Sequence, residues 1–139
     1  MTENVRKILI VDDEEYIVEL ITNIITEMDT SGYSIEITTA KDGSEALEAM
    51  EKTRFDLAFL DLNMPNVNGI EVISRTRGEE GINKDSPFII VSANVSDLNL
   101  DQMGPFFEDV YFVEKPFDID KIERLTKIWL AKAGLKKAS

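Results

Sequence analysis

The chain has 139 residues, 15 Lys+Arg against 27 Asp+Glu, a formal net charge of -12, 43% hydrophobic residues, and neither Cys nor His. That balance reads as one soluble acidic domain whose field repels phosphate backbones and anionic membranes, so neither nucleic acid nor a membrane is an expected partner. Without Cys and His there is no disulfide, no thiolate or imidazole metal site and no Ser/His/Asp triad, which leaves carboxylates, hydroxyls and lysines, groups suited to Mg²⁺ and phosphoryl chemistry.

The first seven residues carry Glu3 and Arg6 but no apolar run of signal-peptide length, and no later stretch approaches the ~20 apolar residues of a spanning helix, so the expected compartment is the cytoplasm. Residues 8–11 form a first strand-length apolar run. Ile17, Leu20, Ile21, Ile24, Ile25 and Met28 follow at the spacing of one helix face. Residues 35–39 read as a second strand, and the alternation in Ile35-Glu36-Ile37-Thr38 suits the edge of a sheet. Asp42, three residues before Glu45, predicts a capping box for a helix with Ala46, Leu47 and Met50 inward.

A third strand is predicted at 57–60, with a helix after Gly69 that turns Ile70 and Ile73 inward, and a fourth strand at 88–91. The next connection is expected to be short or irregular, because residues 95–103 hold few apolar side chains and Gly104-Pro105 stops a helix. After a fifth strand at 110–113, a last helix opens near Asp118 with Ile119, Ile122, Leu125 and Trp129 at helical spacing and a lysine-rich end that suits its dipole.

Strict alternation of strands and helices predicts an α/β fold, a doubly wound five-stranded parallel sheet with helices on both faces. An edge position for the second strand favours the order 2-1-3-4-5. In such a sheet the ligand site lies beyond the carboxyl ends of the strands. Asp12-Asp13, Asp61, Ser92 and Glu114-Lys115-Pro116 all fall there.

Unit charges ~4 Å apart repel by about 4 kcal/mol at an effective dielectric of 20, so three converging carboxylates need a positive partner, and Mg²⁺ is the natural one. Asp61, on the middle strand, is then placed to attack phosphorus, with the Ser92 hydroxyl and the Lys115 ammonium available to phosphoryl oxygens. Taken singly, each group has a plainer explanation: the acidic pair caps a helix, Ser92 is a turn hydroxyl, and Lys115 is a solvated surface lysine. Those explanations leave the convergence of compatible groups at one end of four adjacent strands unaccounted for.

The stretches Ile8-Leu9-Ile10-Val11-Asp12-Asp13-Glu14, Asp42-Gly43-Ser44-Glu45-Ala46-Leu47, Asp61-Leu62-Asn63-Met64-Pro65 with Asn68-Gly69, Ser92-Ala93 and Lys115-Pro116-Phe117 together resemble the receiver domain of two-component response regulators, the CheY-like family. The resemblance runs from Lys7 to about Leu130 and implies a flavodoxin-like three-layer sandwich in which residues 1–139 are a single receiver without an effector. It further implies that Asp61 accepts a phosphoryl group from a histidine kinase or histidine phosphotransfer protein. Asp12, Asp13, Asp61 and the Asn63 main-chain carbonyl would hold Mg²⁺, or Mn²⁺ in its place, while Ser92 and Lys115 contact the phosphoryl oxygens.

By the same resemblance Phe112 is the switch aromatic, although the residue alone reads equally as a core Phe, and Lys115-Pro116 is expected to be a cis peptide. Asn63 and Asn94 stand where the family tunes phosphoryl lifetime. The chain departs from the family at Gly104-Pro105-Phe106-Phe107, where many receivers carry Gly-Ala, which puts the fourth helix and the surface beside it in question. The output would leave through contacts with an unidentified protein, from a monomer or a weak phosphorylation-dependent dimer.

Two other readings remain. A haloacid-dehalogenase-like phosphatase also uses a strand-end Asp with Mg²⁺, but it needs a second acid two residues on, where this chain has Asn63. A phosphorylation-independent binding module usually lacks one of the site residues, and here all are present.

Overall fold

The computed structural model describes residues 4–30, 32–64, 66–78, 81–93 and 108–138. The expectations for Pro65, Asn94, the connection over 95–103 and Gly104 to Phe107 lie outside those residues. In chain order the elements are β1 (Val5–Val11), α1 (Glu15–Glu27), β2 (Ser34–Ala40), α2 (Gly43–Lys52), β3 (Leu57–Leu60), α3 (Gly69–Gly78), β4 (Phe88–Ser92), β5 (Val110–Glu114) and α4 (Ile119–Ala138). All strand pairs are parallel, and the order is β2-β1-β3-β4-β5.

Side chains alternate across a strand, so each inner strand feeds two cores. Ile8 and Ile10, Leu57 and Phe59, and Ile89 and Val91 meet the apolar stripes of α1 and α4. Leu9 and Val11, Ala58 and Leu60, and Phe88 and Ile90 meet α2 and α3 on the other face. Because both faces are covered, β3 and β4 are buried along their whole length, whereas β2, at the edge, alternates between exposed and half-buried over most of its length and buries only Ala40 at its end. None of the helices among the described residues is long and apolar enough to cross a membrane.

Several local expectations are altered by tertiary contacts. Asp42 caps α2 by accepting from Glu45 N at 2.8 Å, but the Glu45 carboxylate reaches Lys41 N at 3.3 Å, one residue before the cap, so the reciprocal half of the box is displaced. Asn68 caps α3 in the same manner, accepting from Glu71 N at 2.9 Å.

β1 starts three residues earlier than its apolar run, because Arg6 folds inward. Its guanidinium stacks over the Tyr33 ring, bonds Asn4, and donates from Nε to the Leu130 carbonyl of α4 at 3.0 Å. Leu20 and Ile119, placed on inner helix faces by their spacing, are instead 37% and 51% exposed. Both line a cavity beside Asp61 and Lys115, which leaves them open to solvent.

Candidate functional site

Three of the expected site residues sit one position past a strand and keep a ladder bond to the neighbouring strand. Asp12 N donates to Ala40 O at 3.2 Å, Asp61 N to Val11 O at 3.1 Å, and Lys115 N to Ser92 O at 2.9 Å. The side chains thus leave the sheet from backbone that is still bonded to it, an arrangement that fixes a polar constellation.

Asp12, Asp13 and Asp61 each present a carboxylate oxygen, all within 4.8 Å of one another, with Asp12 and Asp61 buried and Asp13 exposed. Lys115 enters from the end of β5 and donates from Nζ to Asp12 Oδ2 at 3.1 Å, Glu14 Oε2 at 3.0 Å and Asp61 Oδ2 at 3.3 Å. The remaining oxygens of the two buried acids accept main-chain N–H groups, Asp12 Oδ1 from Glu14 at 2.9 Å and Asp61 Oδ1 from Asn63 at 3.2 Å.

Helix capping does not account for the acidic pair. Glu14 is the N-cap of α1, and its side chain makes no cap bond. Asp12 instead turns back on the chain two residues later.

The loop after Asp61 passes so close to the start of α3 that only glycine fits at position 69. A Cβ there would stand 2.5 Å from the Asp61 carbonyl oxygen and 3.0 Å from Leu62 Cα, while Gly69 N donates to Leu62 O at 3.1 Å. Asn63 is exposed at the mouth of this loop. Ser92 is fully buried at the end of β4, opposite Glu114. Phe112 is half-buried, opposite Ile90, and packs against the α2–α3 core. The Lys115-Pro116 peptide is cis.

Electrostatics follow from burial. Desolvation pushes the Asp12 carboxyl up to about 6, against the bonds from Glu14 N and Lys115 and with the help of the Asp61 charge. Burial works to lower Lys115, but its bonds to Glu14 and Asp12 and the charges of Asp12 and Asp61 outweigh it and hold the ammonium above the ordinary lysine range. Three hard-oxygen donors, one of them held at this electrostatic cost, fit a divalent cation such as Mg²⁺.

Two features had no role in the sequence reading. Glu14 is a third carboxylate on Lys115; its only signal was an acid directly after Asp12-Asp13. A cavity of about 680 Å³ opens beside Asp61 and Lys115, with Tyr16, Leu20, Pro116, Phe117 and Ile119 in its wall. Its apolar wall draws on α1 and the β5–α4 junction, segments that only the tertiary fold brings together.

The profile of the family described as response regulator receiver domain matches residues 8–127. The chain is 35% identical over 127 residues to the CAI-1 autoinducer sensor kinase/phosphatase CqsS of Vibrio cholerae, covering 90% of this chain and 17% of that protein. It is 31% identical over 124 residues to sporulation initiation phosphotransferase F of Bacillus subtilis, covering 89% and 93% of the two. The response regulator TrrA of Thermotoga maritima, solved in complex with Mg²⁺ and BeF, superposes with a TM-score of 0.72 at 32% identity, covering 89% of this chain and 98% of that one. The chain spans about half the length of other response regulators that it matches.

Proposed function

Since the chain belongs to the response regulator receiver family of two-component signalling, we propose that Asp61 is its phosphoryl acceptor and that Asp12, Asp13, Ser92 and Lys115 are the groups that make Asp61 reactive. The observation that carries this reading is the Lys115 ammonium lying within 3.1 Å of Asp12 and 3.3 Å of Asp61, one residue past the ends of three different strands.

A carboxylate oxygen of Asp61 attacks the phosphorus of a phosphohistidine on a histidine kinase or phosphotransfer protein. The P–N bond breaks, its electron pair stays on the imidazole, and the phosphoryl group becomes an acyl phosphate on Asp61. Asp12, Asp13, Asp61 and the Asn63 main-chain carbonyl would hold Mg²⁺, or Mn²⁺, which offsets the negative charge of carboxylates and phosphoryl oxygens. The Lys115 ammonium and the Ser92 hydroxyl bind two phosphoryl oxygens. Attack of water on the same phosphorus returns the free carboxylate, so the chain also limits the life of its own signal.

Engagement of Ser92 with the phosphoryl group draws in the end of β4, and Phe112 on the adjoining β5 takes up the space this opens, which conveys the change to an output protein. The proposed setting is the cytoplasm, and the proposed state is a monomer or a weak phosphorylation-dependent dimer. Tyr16, Leu20 and Ile119 support a protein partner at the mouth of the site, because they present apolar surface beside Asp61.

Intact-mass measurement after incubation with acetyl phosphate tests the chemistry. The expected result is one added phosphoryl group that requires Mg²⁺, is labile to alkali and is absent from Asp61→Asn. An adduct that persists in Asp61→Asn, or no adduct with acetyl phosphate together with no beryllofluoride complex, would overturn it.

A further inference from the structure

An ammonium has three N–H groups, and all three on Lys115 are taken, by Asp12, Glu14 and Asp61. None is left for a phosphoryl oxygen. Two of the three acceptors have other work in the proposed chemistry, on which this inference rests: Asp12 and Asp61 turn to a bound Mg²⁺, and Asp61 becomes the acyl phosphate. Glu14 has no such second task. Its carboxylate bonds Lys115 at 3.0 Å, and it stands outside the three-carboxylate cluster.

We propose that Glu14 is a positioning residue for phosphoryl binding: it keeps one N–H of Lys115 when Asp12 and Asp61 let go, and so aims the other two at the phosphoryl group. The need for such an anchor is physical. A lysine side chain has four rotatable bonds, and immobilising it costs rotamer entropy. An acceptor that holds the ammonium before the phosphoryl group arrives meets part of that cost in advance.

Glu14 is well placed to do this without being consumed. It is half exposed, and its main-chain N–H fixes Asp12 Oδ1 at 2.9 Å, so the residue that steadies the lysine also steadies the buried acid. Its reach depends on length. Glu14 is the N-cap of α1, with no side-chain cap bond of its own. An aspartate at this position keeps the charge, is one methylene shorter, and is drawn to the free N–H groups of the helix, which supports folding while releasing Lys115.

The test is Glu14→Asp in the full chain, with two readouts. Calorimetric titration of the Mg²⁺-saturated protein with beryllofluoride, a phosphoryl mimic, is expected to show affinity weakened about fivefold, which corresponds to about 1 kcal/mol and so to part of the lysine rotamer entropy. The ¹⁵N–¹H signal of the Lys115 ammonium in the Mg²⁺-loaded protein, assigned by its loss in Lys115→Arg, is expected to be resolved in the wild type and broadened in the variant. Because net charge is unchanged, an affinity equal to or tighter than wild type, or an unaltered ammonium signal, overturns the proposal. A wild-type protein that binds no beryllofluoride removes the acceptor reading itself, and this inference with it.

Discussion

At the scale of single residues, Asp12 bears a clear electrostatic cost. Its carboxyl is held near 6, against 3.8 for an ordinary Asp, chiefly by burial. Between those values the folded chain binds a proton that the unfolded chain does not. Metal-free stability therefore gains from this group as pH falls through about 6, and the full penalty, of the order of 2–3 kcal/mol, is present above it. Asp12→Asn is accordingly expected to be more stable than wild type at pH 7.5 in chelator, with the difference shrinking toward pH 4. Denaturant titrations across that range check this, and a difference independent of pH would refute it. A proton and a divalent cation compete for the same oxygens, so Mg²⁺ affinity should also fall below about pH 6.

At the scale of elements, position follows from backbone fit as much as from side chains. Gly69→Ala would drive a methyl group to 2.5 Å from the Asp61 carbonyl, whereas a Cβ on Gly81 meets nothing within 4 Å. We expect Gly69→Ala to cost about 2–3 kcal/mol and to slow acetyl-phosphate labelling, with Gly81→Ala near neutral on both counts. Thermal unfolding and labelling rates for the pair decide it.

The strands were legible because alternating or uniformly apolar runs have few other uses, and α1 because its apolar stripe spans three turns. Arg6 was not legible as a strand residue. A guanidinium is buried only when distant groups receive it, here the Leu130 carbonyl and the Tyr33 ring. Asn83 is a comparable case in the α3–β4 loop. Its side chain bonds the Met50 and Thr53 carbonyls, Phe55 N and the Ser86 hydroxyl, tying the end of α2 to the start of β3. A lone Asn in a loop carries no mark of those four partners.

At the scale of the whole molecule, the net charge of -12 sets a general repulsion on which the site imposes a local one. The two are separable by their response to ions. Several hundred millimolar NaCl is expected to raise the melting midpoint of wild type, Asp12→Asn and Asp61→Asn alike, by screening exposed charge. Millimolar MgCl₂ is expected to raise it in the wild type and much less in the two variants, since the proposed cation site needs the intact carboxylate set. Equal Mg²⁺ stabilisation of all three proteins would place the cation elsewhere.

By itself the sequence determined the succession of strands and helices, the edge position of β2, the parallel sheet, and which residues stand at the strand ends. Those properties rest on periodicity and on the chemistry of each residue type, both of which are local. Only the tertiary structure decided that Glu14 joins Asp12 and Asp61 on one ammonium, that Leu20 and Ile119 leave the core to wall a cavity, and that Arg6 is buried against Tyr33 and Leu130. Each of those depends on contacts between segments far apart in the chain, and the free energy of a buried charge or an exposed aliphatic side chain is set by what lies across the gap.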